Sequence, residues 1–111
     1  MTVSLKPVDR VEILSLQDNY IDMVARDNTD IITRAMPLKG NEVRNSILAE
    51  HGFSAMVSTV VDDNPRSLLF DFGFSEHGAA FNAEALGADM GRVEGWPCPT
   101  GIWIISAAWK S

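Results

Sequence analysis

The chain has 111 residues, of which 46% are hydrophobic and 22% charged, and it carries a formal net charge of −6. That is room for one small domain of ordinary soluble composition, at a size where a missing piece of core is a large loss. The acidic balance, with nine Lys and Arg scattered along the chain, argues against a nucleic-acid or an anionic-membrane partner.

Residues 1–10 carry Pro7, Asp9 and other charges in place of an apolar core, so no secretory signal is expected there. No stretch is long and apolar enough to cross a bilayer, and a cytoplasmic location is the expectation. Residues 11–16 (VEILSL) read as a short strand with Val11, Ile13 and Leu14 turned to a core. Gln17, Asp18 and Asn19 then supply turn chemistry, because Asp and Asn side chains bond nearby backbone groups. Residues 20–39 are mixed and receive no assignment. Asn41 is positioned to cap a short helix through Glu50, closed by Gly52.

Residues 53–61 (FSAMVSTVV) alternate as a half-buried strand, with Phe53, Ala55, Val57, Thr59 and Val61 on one face. Asp62 to Pro65 read as a turn, and residues 67–72 (SLLFDF) as the second strand of an antiparallel hairpin ended by Gly73. Residues 78–86 (GAAFNAEAL) read as a helix closed by Gly87. After Gly95 the character changes. The tail holds all three tryptophans (Trp96, Trp103 and Trp109), has no acidic residue and lacks amphipathic alternation. On pattern alone, residues 102–109 (IWIISAAW) read as a buried final strand. Cys98 is the only cysteine, which excludes an internal disulfide and a Cys-rich zinc cluster. With no base or helix N-terminus beside it, it reads as an incidental thiol.

Four segments in order carry a resemblance to a known family. They are Asp18-Asn19 after the first strand, Ala49-Glu50-His51-Gly52-Phe53-Ser54 leading into the second, and Leu68-Leu69-Phe70-Asp71-Phe72-Gly73 (where the family usually has LFDTG). The fourth is the helix and linker NAEALGADMGRV, residues 82–93. Together they resemble the metallo-β-lactamase superfamily, in its dihydropterin–ribofuranosylaminobenzene phosphate synthase-like branch. The resemblance covers roughly residues 9–94, so residues 1–94 are expected to be a partial domain and 95–111 a tail foreign to the family. It implies an α/β (α+β) fold, the N-terminal fragment of an αββα sandwich of two mixed sheets flanked by helices. It also implies metal-dependent hydrolysis of a small molecule, phosphorylated or pterin-like, with two divalent ions, zinc foremost.

The family's next element is a strand followed by S-H-x-H-x-D-H-x-G-G, whose imidazoles and Asp hold the metal pair and so generate hydroxide near neutral pH. This chain has two histidines, His51 and His77, and no such motif. No catalytic residue, metal ligand or cofactor is therefore assigned to it, and it is expected to be inactive by itself. The alternative is a small non-enzymatic binding module that uses the Trp-rich tail as a contact surface, and a third reading has another chain supply the missing half.

The genetic code offers an account of the tail. One permitted set of codons for residues 96–109, read two bases later, translates as A-L-S-H-G-H-M-D-H-F-G-G-L. A single C restored before Trp96 gives V-E-G-L-A-L-S-H-G-H-M-D-H. Third bases are free in this construction, but several steps are not. Trp103 followed by Ile104 forces the motif's aspartate, and Trp96 followed by Pro97 forces its alanine. Thr100, Ile102 and Ile105 supply the bases that each histidine needs. A reading-frame change near Gly95 is the expectation, and the absence of capping, turn or charge logic in the tail agrees with an unselected sequence.

Four residues stand out at the rim of the implied site. By the resemblance, Asp71 braces the metal loop from behind its ligands; otherwise it is a strand-end Asp capping its own turn. His51 lies near the site mouth by the same argument, or else is a helix C-terminal histidine favoured by the dipole. Asn19, with Asp18, shapes the rim or simply forms a turn. Asn82 anchors its helix to the absent loop. His77 reads as a surface residue, and Asp62 and Asp63 as a solvated loop tip.

Overall fold

The computed structural model of the protein describes residues 2–22, 25–35, 38–39, 42–43, 47–71, 73–75 and 77–95. Asn41, Phe72, Cys98 and the whole tail from Trp96, on which several of the expectations above fall, lie outside the described residues. The fold is mixed α/β. β1 (Arg10–Gln17), β4 (Ser54–Val61) and β5 (Asn64–Phe70) form an antiparallel sheet in the order β1-β4-β5. β2 (Leu38–Lys39) and β3 (Glu42–Val43) pair as a separate short ladder. α1 (Gly78–Ala85) packs on one face of the larger sheet, and a 3₁₀ turn, Met90–Arg92, follows it.

The β4–β5 hairpin turns on two residues only. Val61 opposes Asn64, and both Asp62 and Asp63 have positive φ, 50° and 60°. That is the signature of a type I′ turn, whose twist matches the strands it joins. The expected four-residue turn is therefore corrected: Asn64 and Pro65 belong to β5, Pro65 opposite Val60. At the other end Asp71 takes a left-handed conformation (φ 57°) one residue past the strand.

α1 decides which face of the sheet becomes the core. Its buried positions are Gly78, Ala79, Asn82 and Ala83, small enough to let the helix approach the strands closely. Beneath it Leu16 and Leu69 meet Ala83 of the helix, flanked by Leu14, Met56, Leu86 and Val93. Met56 opposes both Leu14 and Leu69 across the ladders, so the even positions of β4 face the helix. The sequence reading had the phase reversed. Val11 and Ile13 are 55% and 71% exposed, and Phe53 and Val61 on the same face are exposed too, although Ala55 between them is buried. Alternation marks two faces but cannot say which one a helix will cover. Of the three residues read as core in β1, Leu14 alone packs there.

A bulge near the end of β1 explains why two successive residues point inward. Ser15 pairs with Ala55 and Gln17 with Ser54, which leaves Leu16 as the extra residue. Two residues then oppose one, and both Leu16 and Gln17 are 2% exposed.

The helix expected over residues 41–50 does not form where it can be followed. Residues 42–43 are strand, and 47–50 have no regular structure. Their backbone groups bond outward instead of up a helix. Glu50 N donates to Asp18 O (3.3 Å), and Leu48 N donates to Asn82 Oδ1 (2.7 Å).

The described chain ends in a β-α-β connection. Val93 bridges Ser67 in parallel on the outer edge of β5. Glu94 N donates to Ser67 O (2.9 Å), and Leu69 N donates to Gly95 O (3.0 Å). Residues 93–95 thus lie along the outer edge of β5 in the parallel sense, with α1 as the connection.

Candidate functional site

Because β1 and β4 are antiparallel, as are β4 and β5, the end of β1, the start of β4 and the end of β5 meet at one end of the sheet. The N-terminus of α1 is there too. Three of the four rim residues read from the sequence, Asn19, His51 and Asp71, stand on the loops at this end, and local bonds hold those loops in place.

Asn19 Oδ1 accepts from Gly52 N (2.8 Å), and Asp18 Oδ1 accepts from Asn19 N (2.7 Å). Gly52 has φ +120°, and a Cβ there would stand 2.9 Å from Phe74 N. Only glycine lets these two loops approach so closely. Gly73 N donates to Phe53 O (3.0 Å). Ser54 Oγ donates to Asp71 O (2.8 Å), pinning the residue with the strained φ. The His51 ring meets the edge of Phe74 at 5.7 Å between centroids and is exposed. Residues 47–50 are not helical, so the helix-dipole account of His51 does not apply.

Asn82 stands apart from the rim. It is 1% exposed, and its amide is fully used inside the fold. Nδ2 donates to Leu16 O (2.8 Å) and Leu48 O (2.9 Å), while Oδ1 accepts from Leu48 N. It ties α1 to the end of β1 and to the segment before His51.

The sequence reading passed over Glu50 and Gln17, which organise the same end of the sheet. Glu50 Oε1 accepts from Ser75 Oγ (2.6 Å) and Ser75 N (3.3 Å), and Ser75 Oγ in turn accepts from Gly78 N (3.0 Å). The Ser75 hydroxyl above all holds the Glu50 carboxyl below its ordinary range. An anion thereby sits one hydroxyl away from the N-terminus of α1, where the helix dipole favours it. Gln17 fits less well: its buried amide O and N make no hydrogen bond. It lies beside Glu50 and against Gly73, where an added Cβ would stand 2.5 Å from Gln17 Oε1. The residue pattern gave neither a site role: Gln17 was read as part of a turn, whereas it ends β1, and Glu50 as the end of a helix beside His51.

His77 flanks α1 without capping it and is exposed. Asp62 and Asp63 lie at the far end of the sheet as an exposed loop tip. An open depression there, lined by Asp63, Pro65, Arg92 and Glu94 among others, is remote from the rim residues and brings together no reactive groups.

Among the described residues, no three His, Cys, Asp or Glu side chains converge as a metal would require. The described residues do not by themselves fit a metal pair. No helix among them is long and apolar enough to cross a membrane. No protein-family model, curated protein or solved structure matches the chain.

Proposed function

We propose that this chain is the N-terminal part of a metal-dependent hydrolase of the metallo-β-lactamase superfamily, interrupted before its metal ligands and inactive by itself. The observation that supports it best is the parallel bridge of Val93 to Ser67, with Gly95 bonded to Leu69. On this reading a fourth strand would start from that bridge and head toward the end of the sheet that holds Asn19, His51 and Asp71. In the parallel register set by Ser67 and Val93, the next residues would pass beside Asp71. With the permitted codons given above and a single C restored before Trp96, the alternate frame would read G-L-A-L-S-H-G-H-M-D-H from that point, supplying an apolar strand and then a ligand-rich loop at the same end. In open α/β sheets, ligands bind outside the carboxyl ends of parallel strands.

Under this reading Asp71, His51 and Asn19 form the rim of a site whose reacting groups lie beyond Gly95. Asn82 and Glu50 hold that rim in shape. The substrate is a small molecule, phosphorylated or pterin-like on the branch resemblance, and the protein acts in the cytoplasm.

The first test is to sequence the gene from the codon for Ala83 to well past that for Ser111. A base gained or lost near Gly95, or an intact alternate frame that continues through the metal motif, is the expected result. An alternate frame that soon meets stop codons refutes the proposal. In protein, the chain of residues 1–111 is expected to carry no stoichiometric zinc, manganese or iron by elemental analysis. A tightly held metal pair in it would also refute the proposal.

The open apolar sheet face favours a second reading, a small binding module. A stable oligomer that dissociates when Trp103 and Trp109 are replaced by alanine would put that reading first.

A further inference from the structure

β1 stands at the edge of the three-stranded sheet. Its one ladder is to β4, and no backbone hydrogen bond joins residues 10–15 to any other described segment. The opposite edge of the sheet differs, because residues 93–95 already lie on β5 at Ser67 and Leu69. An unpaired edge carries a row of backbone donors and acceptors and is a template for another strand. On β1 the side chains of Arg10, Val11, Glu12 and Ile13 are exposed as well, so nothing described shields that row.

Two features bound the stretch that can pair. Pro7 has no N–H to give, and at the other end the bulge at Ser15–Gln17 breaks the regular spacing of the strand. Residues 8–14 lie between these limits, and Val11 is their midpoint. An antiparallel pairing of this stretch with itself, used over its whole length, therefore sets Val11 opposite the partner's Val11. The same register sets Arg10 opposite the partner's Glu12, and Glu12 opposite the partner's Arg10. A shift of two residues in either direction sets like charges opposite each other, Glu12 on Glu12 or Arg10 on Arg10. Within one copy Arg10 Nε already donates to Glu12 Oε1 at 2.7 Å, and both side chains stay more than half exposed. Pairing in the Val11 register joins two such ion pairs into a ring of four alternating charges, the favourable cross-strand arrangement.

We infer that two copies of this chain associate through β1, antiparallel and two-fold symmetric about Val11, to make one continuous sheet of six strands. Residues 93–95 stand on the other edge of each sheet, so the contact is of one edge with itself and closes at two copies. An edge pair this short hides well under the about 800 Å² per partner of a standard interface, so the dimer dissociates readily and its population follows concentration. The inference rests on residues 7–17 and 93–95 and does not depend on the hydrolase reading.

Sedimentation velocity on the full chain tests it, from low micromolar to millimolar concentration. The expected result is a monomer that gives way to a dimer as concentration rises. Arg10→Glu and Glu12→Arg each create like-charge neighbours twice in the dimer and are expected to raise its dissociation constant about tenfold. The double variant, with the charges exchanged, is expected to return near the parent value, which shows that the single variants fail by charge and not by unfolding. Arg66→Glu on β5 changes the net charge by the same amount as Arg10→Glu and is expected to leave association unchanged. Directly opposed residues have Cα atoms about 4.5–5.5 Å apart, within reach of a disulfide. In a Cys98→Ser chain, Val11→Cys is therefore expected to cross-link on mild oxidation much faster than Ile13→Cys. A monomer at every concentration overturns the inference, and so does growth beyond two copies. Association indifferent to the charge variants, or equally weakened by Arg66→Glu, overturns it too, as does cross-linking as fast at position 13 as at position 11.

Discussion

Replacing Asn82 by alanine tests whether one buried amide holds the candidate rim together. The side chain makes three hydrogen bonds of 2.7–2.9 Å, to Leu48 N, Leu48 O and Leu16 O. Each is worth about 1 kcal/mol net, and a partner left buried and unpaired adds to the loss. Leu16 is 2% exposed, so its carbonyl has no ready access to water, whereas Leu48 is 48% exposed and its peptide groups can find some. The sum is about 2–4 kcal/mol, a large part of the stability of a domain this size. In urea titrations followed by circular dichroism, with a slope of about 1.5 kcal/mol/M, the midpoint should fall by roughly 2 M. Asn82→Asp keeps the shape and the acceptor but aims a carboxylate at two carbonyls. Burial and those carbonyls raise the folded pKa of the new carboxyl, so this variant should lose most stability at neutral pH and regain part of it under acid, where the carboxyl can donate. A loss below about 1 kcal/mol for Asn82→Ala would mean that the helix is held by its apolar contacts alone and that the amide is incidental.

Three further perturbations probe the same geometry. Gly78→Ala would drive its Cβ into the Glu50 carboxylate, and Gly73→Ala would meet Gln17 at a φ of +76°; each should destabilise by about 1–3 kcal/mol, and a neutral result by thermal melting would contradict the packing described. Asp63→Gly should stabilise by up to about 1 kcal/mol, because a left-handed residue in a type I′ turn is relieved of its Cβ; an unchanged melting temperature would argue against the turn assignment. Glu50 has a folded pKa below its unfolded value, so its contribution is present above the ordinary carboxylate range and is lost as pH falls through the depressed value. Glu50→Gln should accordingly flatten the acid limb of stability against pH while leaving the neutral-to-basic limb parallel to the parent's.

Much of the architecture was legible because it rests on local rules. Alternation over residues 53–61 and the turn residues after them marked a hairpin, and Gly87 marked the end of α1. The phase of the sheet was not legible. Val11, Ile13, Phe53 and Val57 are more apolar than Leu14, Ser54, Met56 and Ser58, so hydrophobicity points to the face that α1 leaves uncovered. The bulge at Leu16 and the outward bonding of residues 47–50 depend on Asn82 and Asp18, partners far away along the chain, and no local window holds that information. The candidate rim residues Asn19, His51 and Asp71 were named from the resemblance to a family order. Glu50 and Gln17 were missed because their importance lies in where Ser75 and the glycines put them.

The geometry at Gly95 bears on how much of a site an interrupted chain can keep. Asn19, His51 and Asp71 are positioned by bonds made entirely before residue 95: Gly52 to Asn19, Ser54 to Asp71, Gly73 to Phe53. None of these draws on the fourth strand, so a different sequence after Gly95 leaves the rim's own supports in place. Core packing is less protected. Val93 already contributes to the cluster under α1, and a parallel strand beside β5 would add apolar side chains on both faces and cover an edge that otherwise invites pairing. On the proposed reading, an interruption after Gly95 would therefore act unequally, sparing the local order of the loops while thinning the core that keeps the sheet together. A chain of this design should hold its rim geometry only while the sheet holds, and its thermal transition should be low and broad, with the loops melting together with β1, β4 and β5.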